Sequence, residues 1–228
     1  MSLFDSTHPY NMQYIPSSIA RKKDVSHESY LDKLRKDVIA AKSLFSNRKV
    51  TAKFNELQHG EFVARISLTI GVAAGLSQEE LLHLHVGSII HDIGKYDLPE
   101  SILYKDGLLT CEEYELVKQH VISGSIKTSS IFDPNAIQIV VYHHEHYNGS
   151  GYMRGLKGEG IPYLARIVTV ADVYSAMVEK RYYRQETILE TDAASFVSDQ
   201  SGAIFDPYIV KLFTSLFDAG GAKQWMKV

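Results

Sequence analysis

The chain has 228 residues, of which 45% are hydrophobic and 22% charged, and its formal net charge at pH 7 is −3. This length and composition fit one globular domain with a short appendage and allow a sizeable core. The slight acidic excess disfavours DNA or RNA as a partner, since nucleic-acid binding usually shows as a basic surface. The single cysteine, Cys111, excludes an intramolecular disulfide and a thiolate-rich zinc site.

The first 25 residues or so are polar, contain Pro9 and Pro16, and predict an irregular strap. They lack the basic leader and apolar segment of a signal peptide, and the longest mostly apolar run, 62–76, is too short to span a bilayer. We therefore expect a cytoplasmic protein with no membrane partner. Apolar positions recur at helical spacing between residues 28 and 45. Residues 1–50 are thus predicted to form a strap and a helix that either packs on the main domain, 51–228, or dimerises.

The remainder predicts a succession of helices with well-marked starts. Ser77–Glu80 and Thr110–Glu113 have the pattern of capping boxes, and Asp133 and Asp206 each precede a proline in the pattern of a capped first turn. No stretch shows the sustained two-residue alternation of a hairpin strand. The predicted fold is therefore all-α. Helices are expected near 52–74, 78–92, 111–129, 134–146, 163–180, 190–199 and 207–218.

One segment interrupts the helical pattern, because residues 148–162 hold five of the fifteen glycines. Glycine accepts positive φ and lets the backbone approach a ligand closely. A connecting loop would account for some of these glycines. The position directly after His143 and His144 favours a loop that belongs to a functional site.

His91 and Asp92 form the first candidate pair for chemistry, at the end of a predicted helix and two residues before Gly94. Neighbours on a helix point about 100° apart, so both side chains reach one metal ion only where the helix end abuts it. Lys95 lies one turn after His91, where its ammonium could offset phosphate charge in a transition state. A surface pair beside a helix end is the competing interpretation, since short motifs carry false positives.

Further imidazoles and one carboxylate occur at spaced positions. His59 and His120 lie on predicted helices, where a single histidine is usually a satisfied or solvated side chain. Asp172 lies in an apolar run, and buried carboxylates are rare unless they are paired or bind a metal. A salt bridge from Asp172 to Arg166 stays open as the alternative. Imidazole and carboxylate together form a ligand set suited to iron or manganese.

Taken together, these positions match the motifs of a known family. Residues 50–210 resemble the HD-GYP domain, the bacterial cyclic di-GMP phosphodiesterase branch of the HD superfamily of metal-dependent phosphohydrolases. Several spaced motifs must coincide for this match, which makes it far more specific than any one of them. The matching stretches are HDIGK (91–95), KQH (118–120), HHEHYNGSGYMRGLKGEGIP (143–162), LARIVTVADVYSAM (164–177) and KRYYR (180–184).

The resemblance implies an HD-superfamily helical bundle with the glycine-rich loop beside a site for two divalent metal ions, iron or manganese. It implies catalytic roles for Asp92, as a bridge between the metal ions, and for Lys95. The implied metal ligands are His59, His91, Asp92, His120, His143, His144 and Asp172. The implied substrate-binding residues are Lys95, Gly151, Tyr152, Arg181 and Arg184.

The implied function is hydrolysis of cyclic di-GMP to linear pGpG by a metal-activated hydroxide that attacks the phosphodiester, with onward hydrolysis to GMP left open. Two alternatives stay open, because function depends on the site and not on the fold. One is a catalytically weak module that binds a cyclic dinucleotide and signals to a protein partner. The other is a phosphodiesterase for a different cyclic dinucleotide such as cyclic GMP-AMP. Each of these functions is compatible with a homodimer, and the sequence leaves the oligomeric state open.

Four positions depart from the family pattern. Met153 replaces the proline of the name motif, and Asn148 stands where aspartate is usual. Ser175 replaces the aspartate three residues after Asp172, and Asn55 stands where members with a third metal carry glutamate. None of these changes removes a ligand of the two-metal core. Metal binding and activity are therefore expected to persist, with two metal ions favoured over three.

Overall fold

The computed structural model describes residues 27–46, 56–179 and 188–225. The strap, Asn55, Arg181 and Arg184 lie outside these ranges. Within them the chain forms helices and no β-strand, with an isolated bridge between Ser201 and Phe205, so the predicted all-α fold is confirmed. None of the helices in these ranges is both long and apolar enough to cross a membrane. The α-helices are α1 (His27–Ser46), α2 (Glu56–Ala73), α3 (Gln78–Ile90), α4 (Glu100–Leu103), α5 (Cys111–Lys118), α6 (His120–Thr128), α7 (Pro134–Tyr142), α8 (Tyr163–Val178), α9 (Glu190–Asp199), α10 (Pro207–Asp218) and α11 (Gly221–Trp225), and short 3₁₀ helices lie at Ile93–Asp97 and Gly158–Gly160.

The helix starts form as their capping residues predict. In the boxes Ser77–Glu80 and Thr110–Glu113, the hydroxyl accepts a hydrogen bond from the glutamate amide while the glutamate carboxylate accepts one from the cap amide. Asp133 and Asp206 each accept a hydrogen bond from the amide two residues later, at 2.9 and 2.8 Å. Each such cap satisfies an amide that the helix leaves without an internal partner and stabilises by about 1 kcal/mol.

Most helix bounds lie within two residues of the prediction, and two helices differ more clearly. The helix expected over 111–129 divides at Gln119, whose amide bonds to the carbonyl three residues earlier and tightens the turn between α5 and α6. The helix expected over 134–146 ends at Tyr142, because the His144 carbonyl accepts the amide hydrogen of Tyr152 and the chain leaves the helix axis there. The short helices α4 and α11 were not predicted, since four or five residues show no apolar period.

The core has two parts that meet at α2. The larger part joins α2 and α8 to α9, α10 and α11 through buried side chains such as Ile66, Tyr174, Phe213 and Trp225. The smaller part joins α1, α3 and α7. Burial of each large apolar side chain stabilises the fold by roughly 1.5–3 kcal/mol. These contacts hold α2, α3, α7 and α8 side by side, so that residues at the ends of α3 and α7 come near the middle of α8.

Helix α1 packs on α3 of the same chain. Of its recurring apolar positions, Leu31, Leu34 and Phe45 are at most 2% exposed, whereas Ile39 is 70% exposed. Tyr30 adds a polar contact, because its hydroxyl donates to Asp133 Oδ2 at 2.9 Å. Most of the predicted apolar face of α1 is therefore covered by its own chain, and Ile39 lies outside the covered part.

Gly94 brings the end of α3 against α6. A Cβ at this position would lie 1.9 Å from the carbonyl oxygen of His120, so no larger residue fits without movement of backbone. This close approach places the 3₁₀ helix Ile93–Asp97, and Asp92 directly before it, beside the first residue of α6.

Candidate metal centre

Seven side chains from five helical segments converge on one buried region. His59 lies on α2, His91 ends α3, His120 begins α6, and Asp172 lies on α8. The seven residues are those predicted from the motifs, and they form two clusters that share Asp92. Within each cluster, all the possible ligand atoms lie within 4.8 Å of one another. The clusters are Asp92, His120, His143 and His144, and His59, His91, Asp92 and Asp172.

Three of the imidazoles are oriented by the backbone. In His91, His120 and His143, Nδ1 lies 2.7, 2.7 and 3.1 Å from the carbonyl oxygen three residues earlier. A carbonyl oxygen only accepts, so each Nδ1 must carry the hydrogen, and in the neutral ring each Nε2 is then the lone-pair nitrogen. All three Nε2 atoms are buried and make no hydrogen bond. Such nitrogens are costly to bury unless a cation meets them, and this tautomer is the one that binds metal.

The carboxylate of Asp92 lies between the two clusters. Its Oδ1 lies 3.1 Å from His120 Nε2 and 3.8 Å from His143 Nε2, both in the first cluster. Its Oδ2 lies 3.2 Å from His91 Nε2 and 4.0 Å from His59 Nε2, both in the second. The two oxygens therefore face different clusters, which is the arrangement required of a carboxylate that bridges two ions.

The electrostatics of the region favour positive charge. Burial opposes ionisation of Asp92, but the charges of Lys95 and His91 outweigh it and hold the pKa of Asp92 well below its usual value. Burial likewise opposes ionisation of Asp172, but the neighbouring imidazoles of His59 and His91 hold its pKa well below the usual range. The pKa of His91 is raised well above its ordinary value, because the two carboxylates outweigh the effect of burial. Two fixed negative charges thus face a pocket lined by imidazole nitrogens.

Lys95 lies at the edge of this region. Its ammonium contacts Asp92 Oδ2 and lies 4.0 Å from Glu56 Oε1, and its side chain is 18% exposed. Glu56 is buried at the start of α2, and the sequence analysis missed it because a glutamate in a first helical turn is common. Lys95 is therefore held close to both the carboxylates and the solvent.

The glycine-rich loop is fastened to the end of α7. The Tyr152 amide donates to the His144 carbonyl at 3.1 Å, and the two rings stack with centroids 4.7 Å apart. The buried Glu145 accepts hydrogen bonds from the amides of Arg154 and Leu156 at 2.6 and 3.0 Å. Glu145 directly follows the histidine pair, but nothing in the sequence shows that its carboxylate turns to the loop and not to the clusters.

A cationic and aromatic patch adjoins this loop. Lys118 Nζ lies 4.9 Å from the ring centroid of Tyr114 and 5.6 Å from that of Tyr152. Tyr114 is half exposed, whereas burial raises the pKa of the Tyr152 hydroxyl above its usual value. Tyr152 therefore has one ring face against His144, and the patch lies on its other side.

The remaining polar residues of the loop support its own shape. Asn148 Oδ1 accepts a hydrogen bond from the Ser150 amide at 2.9 Å, an interaction that the usual aspartate could also make. His146 Nδ1 lies 3.0 Å from Ser150 Oγ, and His146 belongs to neither cluster. The change from aspartate to Asn148 thus leaves the local turn intact.

Replacing Gly151 with alanine is expected to weaken metal binding by the cluster that contains His144. A Cβ at Gly151 would lie 2.3 Å from the His146 amide nitrogen and 2.4 Å from the His144 carbonyl oxygen, so the loop or the histidine turn must shift. Because changes beside metal ligands typically cost 10–100-fold in affinity, we expect a loss of about that size for one ion. Manganese titration followed by electron paramagnetic resonance measures it. Gly160→Ala is the control, since a Cβ there meets no atom within 4 Å, and equal affinities in the two variants would contradict the prediction.

Comparison with known proteins agrees with this geometry. The HD domain family model matches residues 33–209. The chain is 39% identical to a cyclic di-GMP phosphodiesterase of Thermotoga maritima over 70% of this chain and 44% of that protein. It is also 39% identical to the cyclic di-GMP phosphodiesterase response regulator RpfG of Xanthomonas campestris, over 65% and 41%. With 3'3'-cGAMP-specific phosphodiesterase 1 of Vibrio cholerae the identity is 34%, over 66% and 33%. The chain thus spans less than half the length of these relatives.

Solved structures share the fold. An HDG"Y"P protein, Bd1817 of Bdellovibrio bacteriovorus, superposes with a TM-score of 0.60 at 22% identity, over 83% of this chain and 60% of that one. The HD domain of the phosphodiesterase PgpH of Listeria monocytogenes, in complex with cyclic-di-AMP, superposes with a TM-score of 0.54 at 16% identity, over 86% and 98%. The family predicted from the motifs is confirmed. The chain belongs to the HD domain family.

Proposed function

We propose that this chain hydrolyses a cyclic dinucleotide, with cyclic di-GMP opened to linear pGpG, at a centre of two divalent metal ions. One observation carries the proposal. The two oxygens of Asp92 face two separate clusters, and three buried imidazole Nε2 atoms beside them have no hydrogen-bond partner. This donor set fits a pair of cations. Without them, the buried nitrogens would have no polar partner.

Each cation would take four ligands, with Asp92 shared between them. Mixed imidazole and carboxylate ligands suit iron or manganese. When bound, two such cations lower the pKa of water and polarise phosphoryl oxygens. Within the described ranges the donors account for two ions, and Asn55, the position of the third-metal ligand, lies outside them. One ion would bind Asp92, His120, His143 and His144, and the other His59, His91, Asp92 and Asp172.

The chain's own groups would bind and orient the substrate. Lys95, at the solvent edge of the centre, would place its charge beside phosphate oxygens, where negative charge grows in the transition state. Gly151 permits the loop to lie on the histidine turn, and Tyr152 would form part of the wall beside the nucleotide. Arg181 and Arg184 are proposed as further phosphate contacts on the motif alone.

The substrate class rests on the relatives. Relatives named for cyclic di-GMP have 32–39% identity, with two at 39%, and relatives named for 3'3'-cGAMP have 31–34% identity. This order favours cyclic di-GMP and keeps cyclic GMP-AMP as a second candidate. A catalytically weak module that binds the dinucleotide and signals to a protein is the third, and turnover by metal-loaded protein separates it from the other two. A cytoplasmic location is part of the proposal and agrees with the free thiol of Cys111.

The test is anaerobic turnover by protein loaded with ferrous iron or manganese. Cyclic di-GMP and 3'3'-cGAMP compete in one reaction, products are separated by chromatography, and metal is quantified on the same sample. We expect pGpG to form, with cyclic di-GMP consumed faster, and no product after chelation. Faster loss of the mixed dinucleotide would transfer the proposal to that substrate. Full metal occupancy with no product from either would favour the binding module.

A further inference from the structure

The outer partner of His59 is a carboxylate that no motif includes. His59 is 6% exposed, and its Nδ1 lies 2.6 Å from Glu179 Oε2 while its Nε2 lies 3.0 Å from Asp172 Oδ1. By contrast, His91, His120 and His143 donate the Nδ1 hydrogen to backbone carbonyl oxygens. His59 lies in the first turns of α2 and is oriented by the side chain of the residue that caps the C-terminal end of α8.

Two residues of α8 and the residue that directly follows the helix face His59 in succession. Asp172, Ser175 and Glu179 are spaced by three and four positions, so their Cα atoms lie on the same side of α8 and its C-terminal end. Ser175 Oγ donates to the Asp172 carbonyl at 2.9 Å and lies 3.5 Å from His59 Nδ1. The hydroxyl is thus satisfied by its own helix and lies farther from the imidazole than the carboxylate of Glu179 does.

We propose that Glu179 is the positioning residue of His59 and replaces, from the C-terminal cap of α8 four residues further along the chain, the carboxylate that Ser175 lacks. Accepting the Nδ1 hydrogen leaves the Nε2 lone pair directed at the second cluster and makes the imidazole a stronger ligand. The inference rests on the proposed metal centre. It also explains why the change at Ser175 leaves the centre complete.

The test compares the binding of two manganese ions in Glu179→Ala with that in the parent. We expect one ion to bind with parental affinity and the other, in the cluster containing His59, 10–100-fold more weakly, which is the usual cost of losing such an outer partner. Electron paramagnetic resonance distinguishes a coupled manganese pair from a single ion, and it reports on binding independently of activity. Glu179→Gln, which has the same size, is measured beside it in case the alanine variant fails to fold.

Rescue separates positioning from a general contribution to folding. In the double variant Ser175→Asp, Glu179→Ala, a carboxylate returns to the same face of α8 beside His59 Nδ1, and the coupled pair should return. Glu61→Ala is the matched control on α2, because Glu61 pairs with Lys42 at 2.7 Å on the surface, and it should bind both ions as the parent does.

Each outcome bears on one proposal. Two ions bound by Glu179→Ala with parental affinity would overturn the role of Glu179 and leave the metal centre intact. Weakened binding that the aspartate does not restore would overturn the exchange of Ser175 and Glu179. A parent protein that binds no manganese would instead overturn the metal centre itself.

Discussion

Replacing Asp92 with asparagine is expected to remove metal from both clusters and to lower cyclic dinucleotide turnover to the level of metal-free protein. The two oxygens of this carboxylate face different clusters, so one substitution affects both ions. Asparagine keeps the size but loses the charge and turns an amide donor toward one cluster. Metal ions supply several kcal/mol of transition-state stabilisation, so we expect a fall in rate of roughly 10³-fold or more.

Metal content, product chromatography and thermal unfolding of the same sample measure this outcome. The matched control is Asp97→Asn, in the 3₁₀ helix that directly follows Asp92, where the carboxylate forms an ion pair with Lys127 at the surface. The control should keep its metal and its rate. Full occupancy and full turnover in Asp92→Asn would remove the basis of the metal centre, whereas an unfolded variant would show that Asp92 also maintains the fold.

The helix starts could be predicted because their causes are local. Ser77 and Thr110 cap their helices through residues three positions away, and Asp133 caps through a residue two positions away. The helix ends at Gln119 and Tyr142 could not, because the first is a tightened turn and the second depends on a loop ten residues further along. The pattern of hydroxyl and acidic residues therefore predicted the first residues of the helices more accurately than their last residues.

The same division holds in the candidate site. The seven residues expected as ligands were identified from spaced motifs, and the structure brings all of them together, although their binding of metal stays a prediction. Glu56 and Glu179 were missed, because their importance depends on Lys95 and on His59, 39 and 120 positions away in the chain. A glutamate at a helix end carries no local sign that distinguishes it from a solvated one.

Replacing Lys95 with methionine is the second prediction with a large expected effect. The ammonium contacts Asp92 and lies near Glu56, so its removal leaves the negative charge of those carboxylates without its neutralising effect. Metal should therefore bind at least as tightly as in the parent. If the charge serves the transition state, turnover should nevertheless fall by about 10²–10³-fold, as when one donor to a developing anion is removed.

The division of this loss between kcat and KM decides the role of Lys95. A fall in kcat with unchanged KM places the charge on the transition state, whereas a rise in KM alone places it on ground-state binding of the phosphate. Lys127→Met, which removes a lysine from a surface ion pair with Asp97, is the control and should alter neither constant. Unchanged constants in Lys95→Met would exclude a phosphate role. Loss of metal in that variant would mean that Lys95 holds Asp92 in place, since simple charge removal strengthens the attraction of the site for a cation.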